Sequence, residues 1–161
     1  MNLPDHDHST VEIQQVIPDT EQHLAVFFTR LQSCSIEQYF HPHPLTSDEA
    51  RKRARYSGPD FYCVLRMKGE IQGYGMLRGW EEGYEIPSLG IVIHPDKQGQ
   101  GLGRMLIQYL HQEAQCRGAK KIRLRVAPEN RKALSLYKSI GYKFSTVKEG
   151  PYQVGVFELV Q

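Results

Sequence analysis

No stretch of this chain is apolar for long enough to cross a bilayer, and Met1–Thr10 carry Asp5, His6, Asp7 and His8 where a secretory leader would be apolar. An excess of one charge is missing too. The 20 Lys and Arg against 18 Asp and Glu leave a formal +2, without the clustered basic surplus of a dedicated nucleic-acid binder. Cysteine is scarce: Cys34, Cys63 and Cys116 are odd in number, far apart and never spaced as CxxC, so neither a disulfide framework nor a zinc site is expected, and no other metal. None neighbours a histidine or a helix start in the sequence, which leaves a cysteine nucleophile unmotivated. Internal repeats and low-complexity linkers are absent. What remains is a cytoplasmic, soluble protein with reduced thiols: a flexible tail over 1–10 and a single domain over 11–161, with no membrane and no nucleic acid among its partners.

The hydrophobic period alternates along the chain. Val11–Ile17 reads as a strand, stopped by Pro18-Asp19-Thr20, and Leu24, Phe27, Phe28 and Leu31 share one face of a helix capped by Asp19 or Thr20. Pro42 and Pro44 break the loop that follows. Thr46-Ser47-Asp48-Glu49 has the form of a capping box, which predicts a short helix to about Tyr56. Phe61–Met67 and Ile71–Leu77 read as a hairpin across Lys68-Gly69, and a turn at Trp80–Gly83 leads to a strand over Glu85–Ile93. Pro87 inside that strand cannot donate to a ladder, so one side must be free there, at an edge, a splay or a bulge. Leu102, Met105, Leu106, Tyr109, Leu110 and Ala114 make an amphipathic helix ended by Gly118. Ile122, Leu124 and Val126 alternate as a strand. A helix opened at Asn130 or the Pro128-Glu129 turn runs through Ile140 to Gly141. Tyr142–Val147 and Val154–Val160 close the chain as a hairpin around Gly150-Pro151. The expected fold is α/β (α+β), a mixed and mostly antiparallel central sheet with helices on both faces, in the order β-α-α-β-β-β-α-β-α-β-β.

The most informative stretch is Gln98-Gly99-Gln100-Gly101-Leu102-Gly103-Arg104, between a strand and a helix. The first amides of a helix lack internal partners and the dipole favours negative charge there, so a glycine-rich turn at that point is suited to an anion. A P-loop needs Lys-Ser or Lys-Thr after its last glycine, and none follows Gly103. A dinucleotide fingerprint built on Gly99 and Gly101 needs a glycine where Arg104 stands. The pattern left is Gln-x-x-Gly-x-Gly. A helix start accepts valine at 101, while the branched Cβ would keep a pyrophosphate away from the amides.

That pattern resembles the pyrophosphate-binding motif of the GNAT superfamily of N-acetyltransferases, and His94-Pro95-Asp96 resembles the beginning of its loop. Asn130, Ala133, Leu136-Tyr137 and Ile140-Gly141-Tyr142 resemble the family's second motif, and the element order agrees over roughly residues 11 to 160. The resemblance implies an acetyl-CoA-dependent N-acetyltransferase in which an amine attacks the thioester directly, with no covalent enzyme intermediate. Ile91, Val92 and Ile93 would give main-chain contacts to the pantetheine arm, and the amides of Gln98, Gly99, Gln100, Gly101, Leu102, Gly103 and Arg104 would hold the pyrophosphate. Asn130 and Ala133 would meet the pantetheine arm and Tyr137 the sulfur, as the acid for the leaving thiolate. Arg104 reads equally as a 3′-phosphate ligand or a solvated helix residue, and Tyr137 has the alternative of a core position. Glu85 is the candidate base, through water, against the plainer reading of a strand-end carboxylate. His41 and His43 lie in the loop that lines the acceptor site in this family.

One departure bears on the acceptor. The branch that acetylates the N-terminal alanine of ribosomal proteins carries a catalytic glutamate in a Leu-Glu-Val context, which here reads Leu124-Arg125-Val126. The expected acceptor is therefore a small-molecule amine, with a protein lysine or N-terminus, or a non-catalytic acyl-CoA-binding module, as alternatives. Arg51-Lys52-Arg53-Arg55 reads as a solvated face or as a site for an anionic acceptor. A homodimer is the default assembly on frequency alone.

Overall fold

The computed structural model describes residues 10–34, 36, 40 and 42–160, and among these the elements follow in the expected order. β1 (Val11–Gln15) passes through a 3-10 turn into α1 (Glu21–Gln32), and α2 (Ser47–Ala54) follows after the proline-broken loop. β2 (Phe61–Met67), β3 (Glu70–Arg78) and β4 (Ser88–Ile93) form an antiparallel meander with β1. After α3 (Leu102–Cys116) come β5 (Lys121–Val126), α4 (Arg131–Ile140), β6 (Lys143–Phe144) and β7 (Gln153–Glu158). The sheet order is β1-β2-β3-β4-β5-β7-β6, antiparallel except where β4 meets β5. The tail expected over 1–10 lies outside the described residues apart from Thr10. Among the described residues no helix is long and apolar enough to cross a membrane.

Alternation along the strands divides the core into two layers. Leu77, Leu89, Ile122 and Leu124 pack with Leu102, Leu106, Ile107 and Leu110 of α3 and with Tyr137 of α4. On the other face Tyr62, Tyr74, Met76 and Val92 pack with Leu24, Phe27, Phe28 and Leu31 of α1 and Ala50 of α2. Helices thus cover both faces, and each large aliphatic side chain buried this way contributes about 1.5–3 kcal/mol.

Several boundaries differ from the sequence expectation for local reasons. β4 begins at Ser88, so Glu85 and Pro87 lie before the strand rather than in it. Pro87 serves through its carbonyl, which accepts from the Arg123 amide at 3.0 Å. The strand expected over Tyr142–Val147 shrinks to two residues, because Tyr142 turns inward to stack on Tyr137 and Phe157. At α2, Thr46 Oγ1 accepts from the Glu49 amide at 3.1 Å, the first half of a capping box. The Glu49 carboxylate leaves the second half unmade and pairs instead with Arg53 at 3.0 Å.

Two histidines are packed into these layers. His43 stands against Phe28, Phe40 and Tyr74, its side chain only 4% exposed, with Nδ1 donating to the Pro44 carbonyl at 2.7 Å and Nε2 accepting from the Tyr74 hydroxyl at 2.9 Å. His111 on α3 lies 2.6 Å from the Tyr142 hydroxyl and against Phe157. Burial lowers the pKa of His43 and brings that of His111 down to about 4. In the unfolded chain both titrate near about 6.5, so below that pH the unfolded chain binds protons that the folded one resists. Stability is therefore complete above about pH 6.5 and is lost as pH falls toward the folded values. Urea unfolding should show a free energy that declines from pH 7 to pH 4, with a shallower slope in His111→Gln, which keeps a polar partner for Tyr142 without a titrating ring. Parallel slopes in the two proteins would remove His111 from the explanation.

Candidate functional site

β4 and β5 touch at one register position, Ser88 opposite Arg123, and then part. Each is held on its far side, β4 by six residue pairs to β3 and β5 by six to β7, so the gap between them is built into the sheet. A cleft of about 1870 Å³ opens there. Pockets for a single small ligand measure roughly 300–1,000 Å³, so this one has room for a long ligand and a second molecule.

The edge of β4 facing the cleft is polar main chain. The His94 amide donates to Gln72 in β3 at 2.9 Å. By the alternation of an antiparallel ladder, Val92 also turns its main-chain groups toward β3, and those of Ile91 and Ile93 face the open side. Of the three residues named for this edge, two can therefore offer it hydrogen bonds, and Val92 contributes a buried side chain to the α1 layer.

At the end of β4, His94 begins the loop. Its Nδ1 accepts from the Asp96 amide at 3.1 Å, fixing the 3-10 turn Pro95–Lys97, and burial lowers its pKa. Gly99 and Gly101 both have φ of 80°, a left-handed conformation that costs other L-residues about 1–2 kcal/mol. Gly103 is helical, and a Cβ on it would stand 3.1 Å from Leu136 Cδ2, so it lets α3 and α4 approach. These glycines answer to backbone conformation and helix packing before any ligand. The first α3 amides, from Leu102 to Arg104, have no partner within the helix, and no turn or loop hydrogen bond uses them. Gln98, Gly99, Gly101, Leu102, Gly103 and Arg104 line the cleft, and Gln100 does not. Arg104 donates to Ser139 on α4 at 2.7 Å, across the seam of the two helices.

α4 supplies the opposite wall. Asn130 caps it, its side chain accepting from the Ala133 amide at 3.4 Å, and both residues line the cleft. Tyr137, two turns on, is 7% exposed, packs edge-on to Tyr142 at 5.6 Å and also lines the cleft. It belongs to the core layer and borders the cleft at once. Burial pushes its pKa well above the ordinary value for tyrosine, so the phenol keeps its proton across the physiological range.

The remaining candidates separate. Glu85 is an exposed loop residue at the rim of the cleft. His43 is a core residue hydrogen-bonded to Tyr74 and borders no part of the cleft, and His41 lies outside the described residues. The basic cluster on α2 lies away from the cleft: Arg51 and Arg55 share Glu21 at 3.4 and 3.6 Å, and Arg53 pairs with Glu49 and lies 4.9 Å over the Tyr62 ring. Cys34 does have a histidine neighbour, contrary to its sequence surroundings, with Sγ 3.8 Å from His94 Nε2. Its thiol donates to the Arg30 carbonyl at 3.2 Å, and His94 Nδ1 is occupied as an acceptor, so the pair is a structural contact and not an activated thiolate. Sequence reasoning passed over Arg78 and Arg123, which also line the cleft. Neither stands in a motif; only strand register brings them there.

Residues 26–142 match the model of the Acetyltransferase (GNAT) family. The ribosomal protein bS18-alanine N-acetyltransferase of Salmonella typhimurium is 37% identical over 68 residues, 42% of this chain and 46% of that protein. The chain thus spans less than half the length of the first curated relatives it matches. The thialysine N-epsilon-acetyltransferase of Sus scrofa is 31% identical over 118 residues, 65% of this chain and 69% of that protein. Among solved structures, the GNAT domain of S. lividans PAT superposes with a TM-score of 0.81 at 16% identity, covering 92% of this chain and 90% of that one. A putative acetyltransferase from Salmonella typhimurium, solved with its cofactor acetyl-CoA, gives 0.72 at 19% identity over 94% and 95%. At these identities the structural likeness concerns the fold.

The left-handed conformation of Gly101 corrects the expectation that valine is tolerated there. No atom lies within 4 Å of a Cβ built on Gly101, so the penalty is conformational and not steric. Gly101→Val should lower stability by about 1–2 kcal/mol without any ligand present, and Gly101→Asn by less, since asparagine enters this region more readily. Thermal unfolding of the two variants checks this; equal melting temperatures would mean that the loop relaxes to another conformation.

Proposed function

Because the chain belongs to the acetyltransferase (GNAT) family, we propose that it takes the acetyl group of acetyl-CoA and passes it to the primary amine of a small molecule by direct attack. The observation that carries this reading is the open edge of β4 leading straight into the free amides at the start of α3. One end of that edge suits a polar extended arm, and the other suits a pyrophosphate. The thialysine N-acetyltransferase match extends over more of this chain than the ribosomal-protein match does, 65% against 42%, which favours the small amine over a protein terminus. Arg125 cannot act as a base for an incoming N-terminus either. A non-catalytic acyl-CoA-binding module has no use for a phenol bordering the cleft.

In this reading Ile91 and Ile93 direct main-chain hydrogen bonds at the arm and at the oxygen that becomes negative as the amine adds to the carbonyl carbon. The amides of Leu102, Gly103 and Arg104 hold the pyrophosphate with the favourable end of the α3 dipole, and Arg104 at the α3–α4 seam adds charge nearby. The amine must lose a proton as the C–N bond forms. Glu85, at the rim, accepts it through water. As the C–S bond breaks, sulfur takes up the electron pair and Tyr137 donates its hydrogen bond or proton to it. A pKa raised by burial keeps Tyr137 a donor at every working pH.

Two expected outcomes follow from this assignment. Gly101→Asn should stay folded and bind CoA at least about tenfold more weakly in calorimetric titration, because a side chain now projects where the phosphates approach the amides. Undiminished affinity would end the phosphate-loop reading. Tyr137→Phe keeps the ring and most of its packing, so stability and acetyl-CoA affinity should scarcely change. Single-turnover transfer at saturating acetyl-CoA should fall by roughly 10²–10⁴, the usual range for one acid–base group. Equal rates would leave Tyr137 as packing alone and send the search for the acid elsewhere.

A further inference from the structure

Alternation places three arginines on one face of the sheet, and register sets two of them, Arg78 and Arg123, at the Ser88 end of the cleft away from the glycine loop. Arg78 on β3 is opposite Ser88 on β4, and Ser88 is opposite Arg123 on β5. Leu77, Leu89, Ile122 and Leu124 all face the α3 layer, so Arg78, Ser88, Arg123 and Arg125 project to the other side by alternation, and all but Ser88 are cationic. All four line the cleft. Arg123 is bound by the Glu149 carboxylate at 2.5 Å. Arg78 donates to the Pro42 carbonyl at 2.7 Å, and the Arg125 guanidinium lies 5.4 Å from the centre of the Tyr152 ring. In the ion pairs among the described residues, neither Arg78 nor Arg125 has a carboxylate. Glu82 and Glu85, on the loop between β3 and β4, also line the cleft.

Arg78 and Arg123 are badly placed for the cofactor's phosphates, and Arg125 stands only two residues nearer the loop on the strand parallel to β4. The loop at 98–104 follows Ile93, whereas Arg78 and Arg123 sit level with Ser88, about 16 Å away along β4 at roughly 3.3 Å per residue. Their charge is therefore available to whatever occupies the other end of the cleft. The N–H fork of a guanidinium receives a carboxylate through two parallel hydrogen bonds. Glu149 on Arg123 shows that this wall accepts a carboxylate.

Resting on the acetyltransferase reading above, we infer that the acceptor is an amine that also bears a carboxylate, an amino acid or a close derivative. Arg125 and Arg78 hold the carboxylate and Glu82 and Glu85 face the amine. Arg125 is a specificity-determining residue in this view, and its charge sets the affinity for the acceptor and not for acetyl-CoA.

The test is acetyl transfer from acetyl-CoA to free L-amino acids and to their C-terminal amides, with spermidine and O-phosphoethanolamine as further acceptors. The free acids should exceed the matching amides in kcat/KM by roughly 10- to 100-fold, the loss expected for one charged hydrogen-bonded contact. Arg125→Gln should bring that ratio toward one, chiefly through a higher KM for the acid, and Arg125→Lys should restore part of it. Amides or spermidine used as well as the acids, or a preference for the phosphate, would overturn the inference while leaving the acetyltransferase reading standing. An Arg125→Gln variant that loses acid and amide alike would make the residue structural and overturn it too. No transfer to any of these amines by protein that still binds CoA would count against both.

Discussion

After Ser88 meets Arg123, two neighbouring strands separate, and the rest of the molecule is arranged around that separation. A strand edge left open inside a protein exposes amides and carbonyls that need partners, and each one left unmade while buried costs about 1–3 kcal/mol. The edge is kept open because β4 and β5 belong to different blocks. One is the meander from β1 to β4, and the other is the group of β5, β7 and β6, each closed by its own ladder. α3 starts directly beyond β4 and α4 directly beyond β5, so both helix starts converge on the gap. The cleft, the free helix-start amides and the border position of Tyr137 all follow from this one interruption.

Charge is distributed to match. The basic residues of α2 are tied to Glu21 and Glu49, and such exposed or part-exposed pairs orient side chains more than they stabilise the fold. The cations that border the cleft are instead Arg104 beside the loop, Arg78 and Arg123 level with Ser88, and Arg125, among others. A net charge of +2 conceals this arrangement, since the local excess lies inside a cleft and is balanced on distant surfaces. Neutral histidines fill both core layers, with His43 and His111 hydrogen-bonded to tyrosines, so acidification loosens the scaffold on both faces of the sheet.

Much was readable from the chain alone because it rests on local periodicity. Leu102, Leu106 and Leu110 recur at helical spacing and do face the sheet; Ile122 and Leu124 alternate and do point into one layer. The element order follows from these patterns, and the glycine-rich turn before α3 was legible because unpartnered helix-start amides are a local property. The boundaries that failed are those set by distant contacts. Tyr142 left its strand to join Tyr137 and Phe157, and Glu49 left its cap for Arg53.

What only the tertiary structure decided is which side chains share the cleft. Periodicity gives each residue a face but not a neighbour across strands, so Arg78 and Arg123 were unremarkable until register set them level with Ser88. The same reason removed His43, whose loop position suggested a residue lining the acceptor site and whose packing against Phe28 and Tyr74 makes it core. It also explains Cys34 and His94, 60 residues apart in sequence and in contact in space. Sequence determined the elements and the glycine-rich loop because their physics acts over a few residues. The composition of the cleft depended on where two halves of a sheet part, which only long-range pairing determines.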